Sequence, residues 1–123
     1  MATSPVDRLR HIKAAIQAAH EGVGGLTVDT VADLPFLIGG LSYQLLIISE
    51  ASRNIPSEWK QACGPSIDWR ALEDLGNHLR HAYHHVDIGA IWAMYENDLA
   101  PLEAAIDRMI AAHDPISSRS PTP

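Results

Sequence analysis

Residues Trp69–His85 read WRALEDLGNHLRHAYHH. Leu72, Leu75, Leu79 and Ala82 recur at three- or four-residue spacing, which lines one side of an α-helix and cannot line one face of a strand. Asp68, just before them, is a suitable N-cap, so the spacing predicts a helix from Trp69 to about Tyr83. At roughly 100° per residue the four make an apolar stripe, with Trp69 and Gly76 at its margin. Opposite them lie Arg70, Asp74, Asn77 and His81, flanked by His78 and His84, while Arg80 stands at the side between the two faces. One such stripe has to be covered by other elements, and the period of the remaining sequence says what those are.

Upstream, Ser4 and Pro5 form a helix start, and Leu9, Ile12, Lys13, Ile16 and Ala19 continue at helical spacing until Gly22, Gly24 and Gly25. A short turn or helix is expected around Thr27–Ala32. From about Asp33, read as a cap, a second long helix passes through Pro35 to about Arg53, where Asn54 and Pro56 stop it. Its middle, LSYQLLIISEAS, is apolar on most sides, as in a helix central to a bundle or shared with another subunit. Within it, Gly39 and Gly40 are expected to let another helix approach closely. The stretch IPSEWKQACGPSID is read as a loop, broken by Gly64 and Pro65. Downstream, Asp87 caps a helix through Trp92 to about Asn97, and Asp98 caps a last one ending near His113. Trp69 and Trp92 are expected to be core or interface anchors. The sum is an all-α, up-and-down bundle of four to five helices in one domain, 1–113, followed by a Pro/Ser-rich tail, 114–123, expected to be disordered.

Composition narrows the function. A 46% hydrophobic and 20% charged chain of 123 residues is long enough for one core. No apolar run reaches the roughly 18 residues of a membrane span, and no basic-then-apolar leader opens the sequence, so a cytoplasmic protein with no membrane association is expected. Cys63 is the lone cysteine, which excludes an internal disulfide and the Cys-rich zinc patterns. A formal charge of -6 is wrong for a protein that grips nucleic acid over its whole surface. Such a chain reaches RNA only through a local basic patch, a partner or a second copy, and Arg70–His85 is the stretch that offers the patch.

Four of the seven histidines fall in that stretch, and three readings of it compete. A plain solvated face would more often be filled with Lys and Glu. A metal site would use His78 and His81 at i, i+3, with His85 a turn further and Asp74 as a further ligand, but a complete ligand set is hard to name. General acid–base chemistry fits a histidine that titrates near neutrality, His81, with an arginine to stabilise charge on a phosphorane and Asn77 a turn before it. RNA carries its own nucleophile, the 2′-hydroxyl, so this third reading needs neither metal nor cofactor. One imidazole from each of two subunits would supply both the base and the acid.

The set of residues from Ser49 to Leu102 is specific enough to resemble a family: Ser49-Glu50-Ala51 before Ile55-Pro56, Trp69, Asn77, His81 with Tyr83, Val86-Asp87, Trp92, Asn97-Asp98-Leu99 and Leu102. It looks like the HepT-like proteins of the HEPN class (higher eukaryote and prokaryote nucleotide-binding), and the resemblance runs from about Asp7 to Ile110. It implies a helical bundle that forms a homodimer around a cleft. It also implies a metal-independent endoribonuclease acting as the toxin of a type II-like toxin–antitoxin module, with an MntA-like nucleotidyltransferase as antitoxin. That partner would transfer AMP to the motif tyrosine. Residue by residue, His81 becomes the catalytic histidine, Asn77 the polar residue following the motif arginine, and Tyr83 the AMPylation candidate.

The family motif is an arginine, four to six residues, then histidine. Four residues before His81 stand between it and Gly76, where no arginine is found; Arg80 is the substitute, and a second register runs from Arg80 to His85. Glu50 and Arg53, at the end of the second long helix, are secondary candidates, as are His78, His84 and His85. The leading expectation is RNA cleavage by His81, Arg80 and Asn77. The alternative is a weakened member that acts only by dimerising and binding a nucleotidyltransferase.

Overall fold

The computed structural model describes residues 4–81 and 86–114. Helix α1, Pro5–Val23, begins where the Ser4 hydroxyl accepts from the Asp7 amide at 3.1 Å, and it buries Leu9, Ile12, Ala15, Ile16, Ala19 and Val23. The Gly24 amide closes it on the His20 carbonyl, and Gly25 turns the chain at φ 82°, a left-handed conformation that only glycine takes without strain. The short α2, Val28–Ala32, is capped by Thr27, whose hydroxyl accepts from Thr30 N. Helix α3, Pro35–Ser52, follows Leu34, which supplies no side-chain cap. Asp33, expected to cap it, ends α2 instead, and Pro35 alone fixes the start of α3.

Helix α4, Ser57–Cys63, occupies the stretch read as a loop. Pro56 and Gly64 bound it, and its roughly two turns are held by their neighbours: Trp59 stacks on His113 at 3.7 Å, and Arg108 donates to the Cys63 carbonyl at 2.8 Å. Helix α5, Trp69–His81, starts at Asp68, whose carboxylate accepts from Ala71 N at 3.0 Å. Asp87 likewise caps α6, Ile88–Ala93. The expected break at Asp98 is absent. Residues Met94–Asp98 form a π-helical segment with α-helical backbone on both flanks, and the rod continues as α7, Leu99–His113, with no side-chain cap from Asp98.

Four long rods therefore make the bundle, α1, α3, α5 and α6 through α7, with α2 and α4 as short connectors. No strand occurs among the described residues. The α1 stripe meets Leu41, Leu45 and Ile48 of α3 and Leu99, Leu102, Ile106 and Met109 of α7, all of them buried. Trp92 is buried with its indole donating to Glu96 at 2.7 Å, and Trp69 donates to the Gly64 carbonyl at 3.0 Å, so both act as anchors. Lys13 pairs with Asp107 and Arg10 with the buried Asp114, locking α1 to the end of α7. Gly39 and Gly40 do not mediate a helix contact: both are exposed, and a Cβ at either would meet nothing within 4 Å. None of the helices among the described residues is long and apolar enough to cross a membrane.

Candidate active site

The close helix contact lies elsewhere, at Gly76. A Cβ there would stand 1.8 Å from the Ser49 hydroxyl and 2.5 Å from its Cβ, so α5 can lie this near α3 only with glycine at that position. The deepest residues of α5 are accordingly Leu72 and Gly76, while Leu75 and Leu79 are half-buried, which turns the helix slightly from the register its leucines imply. This rotation matters. It brings Asn77 and Arg80 to the seam with α3 and leaves Gly76, the counted motif position, with no room for an arginine.

Four side chains interlock across the seam. Arg53, just past α3, donates from Nη2 to Asn77 Oδ1 at 2.9 Å and to the Glu73 carbonyl at 3.2 Å. Arg80 donates to the same Asn77 oxygen. Its Nε lies 3.2 Å from Glu50 Oε1, an ionic contact rather than an aligned hydrogen bond, since that oxygen is shielded from water and accepts none. Glu73 directs its own carboxylate to Lys60, 3.6 Å away, and so does not compete for Arg53. Arg53 and Arg80 against Glu50 leave a local positive charge on a chain of net charge -6.

His81 is the last residue of α5, one turn after Asn77 and exposed. Among the described residues it has no hydrogen-bond or ion-pair partner. Its place beside Arg80 and His78 in the last turn suits cations, because the helix dipole ends negative there. The Asn77 oxygen accepts from both arginines, and no hydrogen bond joins Asn77 to the His81 imidazole among the described residues. His78 is exposed and has no hydrogen-bond or ion-pair partner among the described residues; it faces away from the Gly76 seam. Tyr83, His84 and His85 lie outside the described residues. Among the described residues no three His, Cys, Asp or Glu side chains gather closely enough to hold a metal ion.

A groove of about 280 Å³ opens between α1 and α3 on the other side of Glu50, with Arg8 and His11 on its α1 wall. Sequence reading passed over both, although their i, i+3 spacing on α1 places them together. Another cavity, about 270 Å³, carries Asp68 and Asp98 and no cation, the wrong sign for a phosphodiester.

A family model described as Ribonuclease HepT-like matches residues 12–109. The chain belongs to the HepT-like family. Among curated relatives, this HepT-like chain is 35% identical over 65 residues to "Probable ribonuclease HepT" of Thermococcus cleftensis, a match that covers 53% of this chain and 58% of that one. It is 26% identical over 106 residues to "Gamma-glutamylcyclotransferase and putative RNase" of Methanocaldococcus jannaschii, covering 86% of this chain and 47% of the relative. A third, "Putative RNase" of Caldanaerobacter subterraneus subsp. tengcongensis, is 24% identical over 107 residues, 87% of this chain and 95% of its own. The chain thus spans about half the length of the first two relatives. No solved structure gives a significant match.

Proposed function

We propose that the protein is a metal-independent endoribonuclease, the toxin of a toxin–antitoxin pair, acting in the cytoplasm as a homodimer. The observation that carries this reading is the pair of guanidiniums, Arg53 and Arg80, fixed on one amide oxygen at the end of α5 that carries His81, which has no partner among the described residues. In the reaction a substrate 2′-oxygen attacks the adjacent phosphorus while His81 of one copy takes its proton. The bond to the 5′-oxygen breaks, and a protonated His81 of the second copy supplies that oxygen with a proton. The products are a 2′,3′-cyclic phosphate and a free 5′-hydroxyl. Arg80, exchanging Glu50 for a phosphate oxygen, and Arg53 stabilise the charge that builds on the phosphorane. The family names of the relatives support RNA as substrate. An MntA-like nucleotidyltransferase is the proposed antitoxin, with Tyr83 as its AMP acceptor.

The test is cleavage of RNA by purified protein in excess chelator. His81→Ala is expected to lose about 10²–10⁴-fold in kcat, the usual contribution of one general acid–base group. Arg80→Ala and Asn77→Ala lose less. Equal, unmeasurable activity in wild type and all variants would remove the nuclease reading. A second reading, dimerisation and partner binding alone, is favoured by the Glu50 carboxylate already engaging Arg80 and by the absence of space for an arginine at Gly76. It would be supported by an inert wild type that still co-purifies with the nucleotidyltransferase.

A further inference from the structure

Helix α1 pairs its cations unevenly. Arg10 has Asp7 and Asp114, and Lys13 has Asp107, all on the α7 side. Arg8, on the α3 side, has no carboxylate or hydrogen-bond acceptor for its guanidinium among the described residues, and its Nε is shielded from water as well as unpartnered. A buried donor without an acceptor is costly and rare, and a bound anion would relieve it. His11, three residues on, is exposed along the same groove and equally without a partner among the described residues.

We propose that the α1–α3 groove is a second phosphate subsite, in which Arg8 and His11 hold an RNA phosphate next to the one being cleaved. The proposal rests on the ribonuclease reading above for its substrate. Glu50 supports the continuity, because it forms one wall of the groove and also contacts Arg80, so groove and catalytic cluster share a boundary. Arg8, Arg53 and Arg80 against Glu50 give a net charge of two positive units along this strip before any imidazole is protonated. The floor of Leu46, Ile47 and Ala51 suits the apolar edge of a sugar or base; a hard divalent cation would need several oxygen ligands, and Glu50 is the lone carboxylate in the lining. The groove's volume of about 280 Å³ is on the scale of a single nucleotide unit.

The experiment compares kcat/KM for a dinucleoside monophosphate, which carries only the scissile phosphate, with oligoribonucleotides extended by one phosphate and nucleoside at either end. In wild type, extension at one end is expected to raise kcat/KM about tenfold through KM, the effect of one charge-assisted contact. Arg8→Gln brings that ratio to about one, Arg8→Lys restores part of it, and His11→Gln gives an intermediate value. Lys13→Gln removes the same charge from the α7 side and leaves the ratio as in wild type. A ratio of one in wild type, or a ratio that survives Arg8→Gln in a folded variant, overturns the subsite. Should wild type cleave no RNA at all, the ribonuclease reading fails separately. Binding of 2′-O-methyl oligonucleotides of the same lengths then decides the subsite by the same comparison, with loss of the length effect in Arg8→Gln expected and its persistence fatal.

Discussion

The Asn77 amide oxygen accepts from guanidiniums that arrive from two directions, Arg53 after α3 and Arg80 within α5. Replacing that oxygen separates holding from chemistry. In Asn77→Asp the carboxylate would grip both arginines more tightly, so the unfolding free energy read from urea denaturation should rise slightly, by no more than about 1 kcal/mol at so exposed a site. RNA cleavage should fall in the same variant, because the arginines would be neutralised where a phosphate must compete for them. Gly76 sets a different limit. Gly76→Ala forces a Cβ against Ser49 and should cost about 1–3 kcal/mol in chemical denaturation, and adding Ser49→Gly should recover part of the loss, a coupling that a double-mutant cycle reads directly. In the sequence Gly76 is visible only as a missing arginine. Its real partner, Ser49, sits on another helix, and no periodicity links the two. Arg53 and Glu50 were legible as charges near a helix end, but their shared contacts with α5 depend on the rotation that Gly76 permits.

At the scale of elements, α5 is the one on which the candidate site stands, since it carries Asn77, Arg80 and His81 from a single cap at Asp68. Asp68→Ala should destabilise the protein by about 1 kcal/mol, with amide exchange rising first in the opening turn of α5. The apolar spacing of α1, α3, α5 and α7 made these helices readable because each must bury a stripe. Helix α4 was not readable for the complementary reason: none of its residues is fully buried, and what fixes it are the stack of Trp59 on His113 and the bond from Arg108 to Cys63, both made by distant residues of α7. The seamless passage from α6 through the π-helical segment into α7 was hidden by Asp98, a good cap by composition whose side chain makes no capping bond.

At the scale of the molecule, two groups among the described residues make stability sensitive to alkali. Burial, with the nearby Glu96, raises the Tyr95 phenol above its ordinary 10.0, and a hydrogen bond to Asp107 raises the Lys13 ammonium above 10.5. The unfolded chain loses these protons first, so their contribution is complete below about pH 10 and disappears as pH climbs through the folded values. Denaturation midpoints should therefore drop above pH 10, and Tyr95→Phe should flatten the drop. If RNA is the substrate, as proposed, the distribution of charge bears on how the two meet. A body of net charge -6 repels a polyanion at a distance, while the strip of Arg8, Arg53 and Arg80 attracts it only on near approach. Added salt screens the distant repulsion before it weakens the close contacts, the screening length being about 10 Å at 0.1 M. The association rate should then pass through a maximum as ionic strength increases, where a uniformly basic nuclease would only slow down.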